Sequence, residues 1–137
     1  MDDFRDKAGP SRQYLTVVGE FLLDRETIRV WRGNKPLRIS MRQFRLLDVF
    51  MGHAGEPLSL NTLKELIWGP ASTIEEATVA AEIMRLRRAI GGRRRESPIR
   101  TVRKLGYVFE ASRHRTAARE RYLSSPAHRL GKVSRPV

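Results

Sequence analysis

Thr73-Ile-Glu-Glu-Ala-Thr-Val-Ala-Ala-Glu-Ile-Met-Arg-Leu-Arg-Arg-Ala-Ile90, followed at once by Gly91-Gly92, is the stretch whose reading decides the fold. On a wheel of about 100° per residue, Val79, Ile83, Leu86 and Ile90 share one narrow arc, the width of a buried helical stripe. The opposite side carries Ala77, Thr78, Ala81, Met84, Arg85 and Arg88, small residues toward the start and arginines toward the end. Glu75 and Glu76 are confined to the beginning, where the helix dipole favours acids. Thr73 and Glu76 have the spacing of a capping box, and the glycine pair supplies the stop.

Upstream lie two more helical patterns. Ser40-Met41-Arg42-Gln43 is a capping box that opens a helix with Phe44, Leu47, Phe50 and Met51 at helical spacing, stopped by His53-Ala54-Gly55. Leu60 to Trp68 forms the next, with Leu63, Leu66 and Ile67 apolar and Gly69-Pro70 after it. Before these, the period is that of strands: Tyr14–Val18, Glu20–Leu23, Ile28–Trp31 and Pro36–Ile39, broken by Gly19, Asp24-Arg25-Glu26 and Arg32–Lys35. Downstream, Ile99–Arg103 and Tyr107–Phe109 read as two strands joined across Lys104-Leu105-Gly106. The class is α+β: an antiparallel sheet of about four strands, three helices and a C-terminal hairpin. A helix pair followed by a hairpin is the winged helix-turn-helix arrangement, with the hairpin as wing. Residues 1–13 read as a flexible lead, 14–111 as the domain and 112–137 as a basic, disordered tail with a helical turn or two near Thr116–Leu123.

Charge says which kind of partner such a domain meets. Residues 1–84 hold 11 Lys/Arg against 12 Asp/Glu, a net of −1, whereas residues 85–137 hold 16 against 3, a net of +13. A polyanion met by one half of the molecule is the expected cause, and nucleic acid leads. The exposed face of the third helix suits a major groove. Small side chains let the backbone approach base edges, and arginine can fork onto guanine O6 and N7. The same wheel also describes an ordinary amphipathic helix whose outer face happens to be Ala and Arg, and periodicity alone does not separate the two. Arg93-Arg94-Arg95, in a basic loop beside the helix, suits phosphate contacts or a merely solvated charge run.

Other classes find less support. Cysteine is absent, which excludes disulfides and thiolate chemistry. His53, His114 and His128 have no metal-type or triad-type companions nearby, and Gly91-Gly92 leads into arginines rather than a phosphate loop, so no enzyme, metal or cofactor is expected. An RNA- or ribosome-associated basic protein would need aromatics to stack unpaired bases. Phe21, Phe44, Phe50, Trp68 and Phe109 are placed for the core instead. A winged helix docking protein rather than DNA would not need exposed Arg85, Arg88 and Arg103. No apolar run nears the roughly 20 residues of a membrane span, and the charged N-terminus lacks the apolar segment of a signal peptide. A soluble, cytoplasmic, nucleoid-associated bacterial protein is expected, with no membrane partner.

From Leu15 to Ala111 the chain resembles the effector domain of OmpR/PhoB-type response regulators. The markers are Phe44-Arg-Leu-Leu47, Ser59…Leu63…Ile67-Trp68-Gly69, Thr78-Val79…Ile83…Arg85-Leu86-Arg87-Arg88 and Ile99-Arg-Thr-Val-Arg103…Gly106-Tyr107-Val-Phe109. The resemblance implies a sequence-specific regulator of transcription, with helix three in the major groove of duplex DNA and the wing in the adjacent minor groove. It implies base or backbone contacts from Thr78, Ala81 and Arg85, a basic helix end at Arg87 and Arg88, a phosphate contact at Thr101 and a minor-groove arginine at Arg103. Lys104 adds charge to the wing turn. Gly69, Pro70, Ala71, Ser72, Thr73 and Ile74 occupy the loop through which members touch RNA polymerase, and members bind direct repeats as head-to-tail pairs.

The departures are Ala77, Ala80 and Glu82 where the family usually has polar or basic groups, and Lys104-Leu105 where the turn usually has a glycine. The first implies fewer donors facing the groove, the second an altered turn. The family's phosphorylated receiver domain has no counterpart in the residues before the first strand, so the expectation is either a stand-alone regulator or an excised effector domain, with Met1 and the basic C-terminal extension favouring the first.

Overall fold

The computed structural model describes residues 14–91 and 97–111. The expected lead at 1–13, Arg93–Arg95 and the tail at 112–137 lie outside these residues. The chain divides into two compact units between Pro36 and Leu37.

The first unit carries an antiparallel meander of β1 (Leu15–Val18), β2 (Phe21–Asp24) and β3 (Arg29–Arg32), and β4 (Lys35–Leu37) completes the sheet order β1-β2-β3-β4. Val18 pairs with Phe21 and Phe21 with Arg32, which fixes the register on both sides of the central strand. All four side chains of β2 are buried, including Asp24. That carboxylate is not wasted. Its Oδ1 accepts from the Glu26 and Thr27 amides at 2.9 and 3.3 Å, and so shapes the turn into β3. The fourth strand ends at Leu37, two residues short of the sequence expectation.

The second unit holds α1 (Met41–Gly52), α2 (Leu60–Trp68), α3 (Glu76–Ile90) and a hairpin of β5 (Ile99–Val102) and β6 (Gly106–Phe109). α1 opens on the full capping box: Ser40 Oγ accepts from the Gln43 amide at 3.1 Å, and Gln43 Oε1 accepts from the Ser40 amide at 2.7 Å. His53 ends it, and its amide and ring nitrogen both lie against the Val49 carbonyl. α2 starts on Ser59, whose Oγ accepts from the Thr62 amide at 3.0 Å. At its other end Arg45 donates to the Ile67 carbonyl at 2.8 Å, satisfying an orphan acceptor of the last turn. The core of this unit is Phe44, Leu46, Leu47, Phe50 and Met51 from α1, Leu63 and Ile67 from α2, and Val79, Ile83, Leu86 and Ile90 from α3, closed by Ile99, Val108 and Phe109 of the hairpin.

Four expectations are corrected. The Thr73–Glu76 capping box does not form. Residues 72–75 are irregular, Ser72 Oγ takes the Ile74 amide at 3.1 Å, and the helix opens at Glu76 with Glu75 as an N-cap that makes no side-chain bond. The Ser72 hydroxyl instead shapes the loop before the helix, which delays the helical start to Glu76. Leu66 is exposed on α2 rather than in its apolar stripe. Trp68 is half-buried beneath the Arg42 guanidinium, 5.1 Å from the ring centre, and is not a core residue. Arg103 falls in the turn, because the ladder stops at Val102 opposite Gly106.

Candidate nucleic-acid interface

α3 presents the face that its period promised. Val79, Ile83, Leu86 and Ile90 are fully buried, while Thr78, Met84, Arg85 and Arg88 are exposed on the other side and Ala81 is half-exposed between them. The buried stripe anchors the helix, so the outward side chains are free of any packing duty. Arg85 has one local partner: its Nη1 donates to Glu82 Oε2 at 3.1 Å, one turn back along the helix. Glu82 also lies 3.9 Å from Arg42 Nη1 of α1.

Arg87 does something different. Its Nε donates to the Ile99 carbonyl at 3.0 Å, its Nη2 donates to Thr101 Oγ1 at 2.8 Å, and its guanidinium lies 5.3 Å from the Tyr107 ring centre. One side chain thus touches both strands of the hairpin. It fastens the wing to α3 and keeps Thr101 Oγ engaged. Sequence reading grouped Arg87 with Arg88 as a basic helix end. Nothing local distinguishes the two, since the bonds reach 12 and 14 residues ahead.

The wing is placed by a second fastening. Leu58 and Tyr107 exchange backbone hydrogen bonds of 2.7 and 2.9 Å, pinning β6 to the segment just before α2. The approach is so close that a Cβ on Gly106 would sit 2.0 Å from the Leu58 carbonyl oxygen, and Gly106 itself has φ +131. Only glycine fits there. The turn runs through Arg103, Lys104 and Leu105, all exposed, and the Leu105 amide closes it onto the Val102 carbonyl at 3.0 Å. Lys104 has φ +70, the left-handed conformation that glycine adopts without cost. The turn therefore holds a lysine in a conformation that a glycine would adopt without strain. On the strands, Arg100 is paired with Glu110 at 3.0 Å.

Between the wing turn and the first turns of α2 and α3 lies an open cleft lined by Ser59, Asn61, Glu76, Thr101, Arg103, Lys104 and Tyr107, among others. The segment Gly69–Ile74 makes a compact loop after α2. Gly69 has φ +101, the Ser72 amide donates to its carbonyl at 3.1 Å, and Pro70, Ala71 and Thr73 are exposed. Among the described residues no cluster of three or more His, Asp or Glu could hold a metal ion, and no helix is long and apolar enough to cross a membrane.

The comparisons with known proteins agree with this geometry. The family model described as "Transcriptional regulatory protein, C terminal" matches residues 34–109. The phosphate regulon transcriptional regulatory protein PhoB of Rhizobium meliloti is 38% identical over 93 residues, which are 68% of this chain and 41% of that protein. The chain thus spans about two fifths of the curated relative's length. Among solved structures, the DNA-binding domain of Klebsiella pneumoniae RstA, in complex with the RstA box, superposes with a TM-score of 0.64 at 26% identity, covering 70% of this chain and 96% of that one. The DNA-binding domain of E. coli CadC gives a TM-score of 0.60 at 31% identity, with 71% and 94% covered. By sequence and by fold, the chain belongs to the transcriptional regulatory protein C-terminal family, the OmpR/PhoB-type winged-helix DNA-binding domains of response regulators.

Proposed function

We propose that this chain regulates transcription by binding duplex DNA with α3 in the major groove and the β5–β6 wing in the adjacent minor groove. The observation that carries this reading is the pairing of two exposed cationic elements on one frame. Arg85 and Arg88 project from α3, Arg103 and Lys104 from the wing turn, and Arg87 ties helix to hairpin. The sugar-phosphate strand that separates the two grooves would run through the open cleft between them.

Within this arrangement Arg85 reads a guanine, with Thr78 and Ala81 close to neighbouring bases and Arg88 on the backbone. Arg103 enters the minor groove, where negative potential attracts arginine, and Lys104 meets a phosphate. Arg87 and Thr101 serve binding chiefly by holding the wing. Residues 14–111 constitute the binding domain, and the basic residues beyond them add affinity without specificity. The loop Gly69–Ile74 is the surface offered to RNA polymerase. The chain occupies direct repeats as head-to-tail pairs, in the cytoplasm at the nucleoid. That RstA's domain is held on its box, at the same fold, supports the mode of binding.

Selection of bound duplexes from a random pool tests the reading. It is expected to return a defined site, repeated in one direction, whose affinity falls with salt at a log–log slope of magnitude about 4 or more. Equal recovery of all sequences, or a slope near −1, overturns it.

A further inference from the structure

We infer that Met84 is a specificity-determining residue, placed to meet the 5-methyl group of a thymine in the major groove. The inference rests on α3 as the element that enters that groove.

Met84 is the one large apolar side chain that α3 exposes, 51% open to solvent, while Val79, Ile83, Leu86 and Ile90 are buried. It stands on the outward face with Ala81 one turn before it, Ala77 two turns before it and Arg88 one turn after it. Alanines at those places leave the thioether room to extend and the helix room to approach base edges. Around the helix axis Met84 and Arg85 stand about 100° apart. Arg85 leans toward α1, where its partner Glu82 lies 3.9 Å from Arg42. Met84 leans toward the hairpin that Arg87 holds.

Chemistry narrows what this side chain can meet. Met84 has no charge and no donor, so a phosphate, which draws Lys and Arg, gives it nothing. The major-groove edges of the bases carry hydrogen-bonding groups, and thymine alone adds a methyl. Burying that methyl against an apolar side chain removes both from water, a gain of about fourfold in affinity. Cytosine in its place would set an amino donor against a sulfur that accepts only weakly. The unbranched thioether adapts its three torsions to the methyl rather than demanding one geometry. Since a guanine has no thymine as its partner, Met84 and Arg85 read different base pairs.

The test uses the full chain and the site selected from random duplexes, with each thymine replaced in turn by deoxyuridine, which deletes the methyl alone. At one or two thymines the parent is expected to bind about fourfold more weakly. Met84→Ala should weaken the unmodified site by a similar factor and lose this dependence, whereas Met84→Leu, still apolar, should keep it. Arg85→Ala should keep it too, and relax preference at another base pair. Two results overturn the inference. One is a parent to which no thymine methyl matters. The other is a Met84→Ala variant with the parent's deoxyuridine penalties, as contact with the sugar carbons of the backbone would give. If Arg85→Ala then relaxes no base pair either, the placement of α3 in the groove fails as well; if it relaxes one, only the role of Met84 is lost.

Discussion

The third helix and the wing are held in place by different mixtures of contacts. α3 is held by four fully buried side chains on its own inner face, and its outer face contributes nothing to that hold. The wing exposes half of β5 and its whole turn; Ile99, Val108 and Phe109 sink one end of the hairpin into the core, and the turn end is located by specific contacts: the Leu58–Tyr107 exchange, the glycine at 106 and the grip of Arg87. The difference teaches where sequence can vary freely. A helix anchored by a stripe can change its reading residues without touching stability. In the wing, the residues proposed to bind stand directly beside those that hold the hairpin in place.

The sharpest way to break this contrast is Gly106→Ala. Its Cβ would fall on the Leu58 carbonyl in a backbone conformation that alanine resists, so the hairpin must shift or detach. We expect a loss of roughly 3–5 kcal/mol in thermal or denaturant unfolding, with DNA binding lost alongside. Full stability in this variant would mean that the wing is not pinned as described. Arg87→Met removes two hydrogen bonds and a cation–aromatic contact. The expected cost is about 1–3 kcal/mol of stability, with affinity lowered evenly across sequences because wing placement, not base reading, is impaired.

Arg85→Ala is the converse. Its melting temperature should stay within about 0.5 kcal/mol of the parent in equivalent stability, while binding to the selected site weakens by roughly 1–3 kcal/mol and relaxes at one base pair. Equal losses at every base pair would make Arg85 a backbone contact and erase the division between the two regions. Smallest is Lys104→Gly. Relief of the left-handed lysine should raise stability by about 0.5–1 kcal/mol while binding weakens modestly, a gain and a loss of opposite sign at one residue. A stabilised variant that binds as tightly as its parent would show that the strain serves no purpose.

How far the sequence could be read follows from the same contrast. The inner stripe of α3, the Ser40 capping box and the span of α2 are written in local spacings, and each was legible. So were the four strands, to within two residues at any end. The start of α3 is not legible in the Thr73–Glu76 spacing, because the helix opens at Glu76 on an N-cap, Glu75, that makes no side-chain bond. Arg87's role was hidden, since wheel position and charge are all that a sequence shows of it, and its partners come after the helix has ended and the chain has turned back. Trp68 reads as core by its bulk, but it is half-buried with an arginine over its ring. At Lys104 the absence of a glycine is legible in the sequence, but the left-handed backbone that the residue adopts is not.

The paired amides of Leu58 and Tyr107 have a use beyond holding the hairpin. They join positions far apart in the chain, and each hydrogen bond survives only while the wing lies against the segment before α2. Their hydrogen exchange therefore times the detachment of the wing separately from global unfolding, whose clock is the amides within α3. A ligand that grips helix and wing together must slow the first clock, by mass action, even if it leaves these two residues untouched. One pair of backbone groups thus reports whether both elements are engaged at once.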